Sequence, residues 1–182
     1  MRLPPSPLLL LAALLGLSQC KKSDSGPARP EDQLPPATQT GAGTFGCLLN
    51  GQPWTPSGYD GSPNFVLTYD SGYRGGALQI KCYRYTSNST FQSIIFGAVN
   101  VSQAGTYFFS IPNNGISYFD TSLVAPCNLQ SYSNPGTYRT GSFTLTRFDL
   151  KAGIISGTFN FKFAQPSCDT LKITQGRFDY TL

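Results

Sequence analysis

Few residues in this chain could do chemistry at neutral pH, and their spacing narrows what that chemistry would be. Histidine is absent, so neither a Ser-His-Asp nor a Cys-His nucleophile can be assembled. The only glutamate is Glu31, near the start. The remaining acids of interest are Asp60, Asp70, Asp120, Asp149, Asp169 and Asp179, and no two form a local pair. Scattered aspartates between strands usually close turns by accepting from their own backbone. A carboxylate pair of the kind that glycosidases use would have to assemble in space.

The five cysteines say more. Leu8 to Leu17 is a ten-residue apolar run behind Arg2. It is too short to cross a bilayer, which takes about 20 residues, and fits the core of a secretory signal peptide over residues 1–19. Leu17-Ser18-Gln19-Cys20 resembles the lipobox of bacterial lipoproteins, with Gln19 where that motif usually has Gly, Ala or Ser. Cys20 is then the lipidated first residue of the mature chain, carrying acyl groups such as palmitate. That leaves Cys47, Cys82, Cys127 and Cys168, an even number suited to two disulfides in an oxidising compartment. With no histidine and no C-x-x-C pair, a zinc site would need all four distant thiolates, so neither metal nor cofactor is expected. Cys127 and Cys168 stand beside prolines in loop-like sequence, and Cys47 and Cys82 alternate with apolar residues of strands. Like environments pair Cys127 with Cys168 and Cys47 with Cys82.

Aromatic residues are the other resource, with ten tyrosines and thirteen phenylalanines. Lys81, Tyr83 and Tyr85 share the polar face of one strand-like run, opposite Leu78, Ile80 and Cys82. Such a row suits stacking on sugar rings or a peptide, and is equally ordinary for a half-exposed sheet. Charge is sparse, at 12% of residues with a net value of +4. The basic residues are scattered singly, so no phosphate-tracking stripe exists and nucleic acid is not an expected partner. Arg147-Phe148-Asp149 and Arg177-Phe178-Asp179 recur thirty residues apart, each at the end of a strand-like run. Alternation from Phe143 and Leu145 places Arg147 inward unless the strand bulges first. Arg177 and Asp179 fall on the solvent side.

The elements that must position these groups are strands. From Ile155 to Phe163 the odd positions are apolar or small and the even positions polar, the mark of a half-buried strand. Leu171 and Ile173 continue the odd parity, but Phe178, Tyr180 and Leu182 are even. A β-bulge near Gln175-Gly176 makes that switch, because one extra residue turns every later side chain to the other face. Earlier, Phe45 to Trp54 reads as a hairpin around Asn50-Gly51, with Pro53 marking an edge strand. Trp54, the only tryptophan, is expected in the core. Phe91–Val99 is apolar on both faces, which predicts a central strand covered on both sides. Thr121 to Gly136 is the least regular stretch. About ten short strands without helical periodicity predict one all-β domain over residues 44–182, an antiparallel β-sandwich or barrel with a C-terminal meander. Residues 20–43, rich in Pro and Gly, read as a disordered tether behind the lipidated cysteine.

The pieces Thr44-Phe45-Gly46-Cys47-Leu48-Leu49-Asn50-Gly51, Ile155-Ser156-Gly157-Thr158-Phe159-Asn160-Phe161 and Gly176-Arg177-Phe178-Asp179 occur behind a lipobox and a Pro/Gly-rich tether. In that order they resemble a family of uncharacterised Bacteroidota envelope lipoproteins with a single all-β domain. The resemblance implies an outer-membrane-anchored lipoprotein of the cell envelope and brings no activity with it. The expected role is a non-catalytic binding or structural module with a glycan, peptide or envelope-protein partner. Two alternatives are a lipocalin-like carrier of a small apolar ligand and, further off, an aspartate-based hydrolase.

Overall fold

In the computed structural model, residues 29–86 and 90–182 are described; Cys20, the signal-like segment and the first part of the expected tether lie outside them. Among the described residues, eleven strands form two antiparallel sheets that face each other as a sandwich, and neither closes into a barrel. The six-stranded sheet runs, in spatial order, β2 (Gln52–Trp54), β1 (Thr44–Leu49), β11 (Leu171–Thr181), β10 (Ile154–Ala164), β9 (Tyr138–Asp149) and β6 (Gly105–Phe108). The five-stranded sheet runs β3 (Phe65–Asp70), β4 (Ala77–Tyr85), β5 (Phe91–Val99), β7 (Gly115–Asp120) and β8 (Leu129–Ser131). β8 falls inside the stretch read as irregular; three residues are too few to show alternation.

Local chemistry explains the main features. Asn50 and Gly51 both take positive φ, so a two-residue turn joins β1 to β2, and Pro53 sits on an edge strand as its missing N–H requires. The bulge in β11 lies at the expected place. Gly46 pairs with Arg177 and Leu48 with Thr174, while across the other edge Phe159 pairs with Gly176 and Phe161 with Ile173. Gln175, at φ 52°, is the extra residue. The parity switch therefore keeps Leu171, Ile173 and Phe178 all in the core.

β9 bulges too, and this corrects the orientation read for Arg147. Ser156 pairs with Arg147 but Gly157 pairs with Leu145, leaving Thr146 as the extra residue. Phe148 thereby turns inward onto Tyr69, at a ring separation of 5.1 Å, and Arg147 turns outward. Its guanidinium donates to Asp149 at 2.9 Å and to the Gln39 carbonyl at 2.6 Å. The neighbours of Gly157 admit nothing larger; a Cβ there would stand 2.2 Å from the Thr144 carbonyl oxygen and 2.8 Å from the Phe178 ring.

The inter-sheet space is filled by rings. Phe96 of β5 reaches across to Phe159, 4.7 Å away, and lies near Phe109, Phe143, Phe161 and Phe178. Offset aromatic pairs of this kind add about 0.5–1.5 kcal/mol each beyond the area they bury. Trp54 is fully buried, as expected of a core anchor.

Residues 29–43 are not a free tether in their described part, which moves the start of the ordered chain ahead of Thr44. A single 3-10 turn, Pro30–Gln33, leads into a strap across the outer face of the six-stranded sheet. Leu34 is buried, the Arg177 side chain donates to the Pro35 carbonyl, and Thr38 to Ala42 close over Asp179. Composition suggested disorder because the strap has almost no apolar residue; polar bonds to the sheet hold it instead. The disulfide Cys127–Cys168, with Cα atoms 5.5 Å apart, joins the β7–β8 loop to the β10–β11 loop and so staples one sheet to the other.

Candidate functional site

The outer face of the five-stranded sheet holds a trough of about 560 Å³, within the range of small-ligand sites. Register builds its floor: Thr68 pairs with Gln79, Gln79 with Gly97, and Gly97 with Gly115, so these four form one row across the strands. Ile95 and Ser117, directly paired, continue the floor into the next row. Gly97 and Gly115 adjoin without side chains, and the surface dips between them. One wall rises from two turns, where Arg74 of the β3–β4 turn donates to Asn113 of the β6–β7 turn at 3.1 Å. The Arg74 guanidinium lies 5.4 Å from the centre of the Tyr73 ring. At the other end Tyr132 folds back over Gly115, its ring atoms 2.8 Å from where a Cβ would stand, so only glycine seats it. Arg139 lies over that ring at 5.1 Å. Tyr73 and Tyr132 as whole residues are 51% and 47% exposed.

This trough corrects the reading of β5. The strand is central in its sheet, but among the described residues nothing covers the C-terminal half of its outer face, where Ile95, Gly97 and Val99 line the trough. An apolar outward face was legible in the sequence, yet a cover and a trough give it the same pattern. Tyr73, Arg74, Asn113 and Tyr132 were not singled out, because they lie in turns and their convergence depends on how two hairpins stand side by side.

Lys81, Tyr83 and Tyr85 do share one face, but they do not form an open row. Tyr83 is only 1% exposed. The segment 57–64 lies across it, with its hydroxyl donating to the Ser62 carbonyl and accepting from the Asp60 N–H at 3.1 Å. Tyr85 remains partly open and packs with Phe91 at 5.2 Å. Lys81 is exposed beside the trough, paired with Ile95 on its floor.

Two aspartates are buried, each alone. Asp120 accepts from Tyr118 at 2.7 Å, Gln92 at 2.6 Å and the Ser122 hydroxyl and N–H at 2.6 and 2.8 Å. Burial pushes its carboxyl up, but these donors, Ser122 first, outweigh it and hold it below the usual range. Burial and the Asp120 carboxylate both push the Tyr118 phenol up, so it stays protonated and donates. Gln92 passes the chain on, accepting from Trp54 at 3.1 Å and Arg84 at 2.8 Å. Trp54 belongs to one sheet and Gln92 to the other, so the cluster is a polar rivet between them. Asp179, 1% exposed, accepts from the Ser156 hydroxyl at 2.6 Å and from the strap: Thr38 Oγ1 at 2.7 Å, Thr40 Oγ1 at 3.3 Å, and the N–H groups of Thr40, Gly41 and Ala42 at 2.9, 2.8 and 3.1 Å. Burial opposes its ionisation, and these six bonds overcome that, leaving it far below the ordinary carboxylate value.

The expected bond between Cys47 and Cys82 is not made; both are buried free thiols. They stand on facing sheets, near enough that Cys47 acts on the Cys82 thiol, but unbonded. Burial pushes the Cys47 thiol up to about 12 and also raises that of Cys82, with Cys47 as its second cause, so neither is a nucleophile. Among the described residues, no group of three or more His, Cys, Asp and Glu is placed to hold a metal ion.

Compared with models of known families, with curated proteins and with solved structures, the chain has no significant match.

Proposed function

We propose that this chain is a lipid-anchored module of the cell envelope that binds a ligand without transforming it, and that it presents the outer face of the five-stranded sheet for this purpose. One observation carries the reading. A solvent-facing side of an antiparallel sheet is ordinarily polar, whereas here Ile95 and Val99 face a trough rimmed by two half-exposed tyrosines and an arginine. Binding is favoured over catalysis because the one carboxylate lining the trough, Asp70, is engaged in its own turn, accepting from the Gly72 N–H at 2.9 Å. A carrier holding an apolar ligand between the sheets is less well supported, since Phe96 and its neighbours occupy that space.

The anchor rests on the apolar run Leu8 to Leu17 and the lipobox-like Cys20. At roughly 3.3–3.6 Å per residue, the nine steps from Cys20 to Arg29 keep the strap within about 30 Å of the lipid. Two or more acyl chains are enough for stable attachment. After a high-salt wash the wild-type chain should sediment with membranes and Cys20→Ala should be soluble. Immobilised envelope fragments should then retain the soluble Cys20→Ala chain. Adding Gln79→Trp, which places an indole on the trough floor, should abolish retention at an unchanged Tm. Retention indifferent to that indole would rule out the trough as the binding surface.

A further inference from the structure

We infer that the trough takes an uncharged glycan, a run of sugar rings lying across the strands between Tyr73 and Tyr132. This rests on reading the trough as the binding surface and specifies its ligand by chemistry. Sugars present two kinds of surface: faces of C–H groups, which pack on aromatic rings, and a rim of hydroxyls, each both donor and acceptor. The trough offers the counterpart of each. Tyr73 and Tyr132 stand at its rim with about half of each residue open. Each ring has a guanidinium over it, from Arg74 and Arg139 respectively.

Between the rings the polar groups are amides and hydroxyls that donate and accept: Gln79, Asn113, Thr68 and Ser117. Gln79 and Thr68 point outward from adjoining strands in direct register and are exposed. Within the lining itself Asp70 stands against Arg74, while two further cations, Lys81 and Arg139, flank the trough outside that lining. A lining of this kind has no excess charge to neutralise phosphate, sulfate or an anionic headgroup. Nor does it suit an extended peptide, which recognises a sheet by adding to a free strand edge. Of the four floor strands β4, β5 and β7 are each paired on both sides, so their backbone groups are already used, and β3 alone has a free side, at the sheet edge and outside the trough. Side chains must therefore do the recognising, and those present match hydroxyls.

The test uses the full chain with Cys20→Ala and, as probe, the protease-treated carbohydrate fraction of the envelope, with and without mild periodate, which cleaves vicinal diols. The chain is expected to bind this fraction, and periodate to abolish the binding. Tyr73→Ala and Tyr132→Ala should each weaken it about tenfold, equivalent to about 1.4 kcal/mol, while Tyr132→Phe retains it. Tyr73→Ala stands alone as the test if Tyr132→Ala, which uncovers Gly115 and Arg139, fails to fold. Binding that survives periodate, or an untreated carbohydrate fraction that is not bound, overturns the glycan assignment. If envelope fragments bind only before protease treatment, and Gln79→Trp still abolishes that binding, the trough is a binding surface for protein. If Gln79→Trp changes nothing, the underlying reading falls as well.

Discussion

Asp179 shows how much a single carboxylate can organise. The alternation of β11 puts it on the outer face, and that was legible in the sequence. Its burial was not, because the strap that covers it comes from 141 residues away. Five of its six hydrogen bonds come from strap residues, so replacing it removes the acceptor that holds residues 38–42 in place. Asp179→Asn keeps the shape but offers an NH₂ where N–H and O–H groups point, and should cost about 3 kcal/mol. The pH dependence has a fixed sign. The carboxyl is depressed in the folded protein relative to about 3.9 in the unfolded chain. The stability it supplies is therefore complete well above pH 4 and is lost as pH falls from there toward its native value. Denaturant titrations between pH 7 and pH 2.5 should show this acid limb in the wild type and a flatter one in Asp179→Asn. An equally steep limb in the variant would assign the acid loss to other groups. The repeated Arg-Phe-Asp tripeptide also resolves at this scale. Its two arginines serve one purpose, gripping the strap at Gln39 and Pro35, and both face outward. Arg147→Met and Arg177→Met should each cost under about 1 kcal/mol, as exposed pairs do.

Strands were legible wherever alternation ran for five residues or more, as in β4, β10 and β11, and β5 through its run of residues apolar on both faces. The bulge in β11 declared itself because apolar residues follow it on the opposite parity. That in β9 was harder to see, since the chain beyond Thr146 offers only Arg147, Phe148 and Asp149 before the turn, and one phenylalanine does not set a parity. Both bulges sit in strands that flank β10, and Gly157 lies where β10 meets the second of them. Gly157→Ala would drive a methyl against the Thr144 carbonyl and the edge of Phe178, and the backbone contact cannot yield as a flexible side chain would. Overpacking of this kind costs about 1–3 kcal/mol. Thermal melts of Gly157→Ala should show that loss, whereas Ser117→Ala on the open trough floor should stay within about 0.5 kcal/mol of wild type. Matching Tm values for the two would mean that β9 and β10 separate more easily than their register implies.

At the level of the whole molecule, the sequence points to an all-β domain but not to which strands share a sheet, and the trough depends on that choice. One cysteine pair was readable because both members stand in loops free to meet. The other failed because facing the same core from two strands does not by itself bring two sulfurs into bonding geometry. The disulfide closes a separation of 41 residues, so losing it should cost about 4 kcal/mol by the chain-entropy account. Cys127→Ser with Cys168→Ser should lower stability by that order in denaturant, and a change below 1 kcal/mol would show that the loops are held by other contacts. The strap has a consequence for the order in which the chain becomes structured. β1 lies between β2 and β11, and the strap that precedes it closes on Asp179, so the earliest part of the domain waits for the latest. Such distant pairings are slow to form. Until then both edges of the β1–β2 hairpin are unpaired, and Phe45, Cys47 and Trp54 have no core to enter. The protein is thus committed to its native form only when β11 arrives, so a chain cut short before its last strand loses its first strands as well.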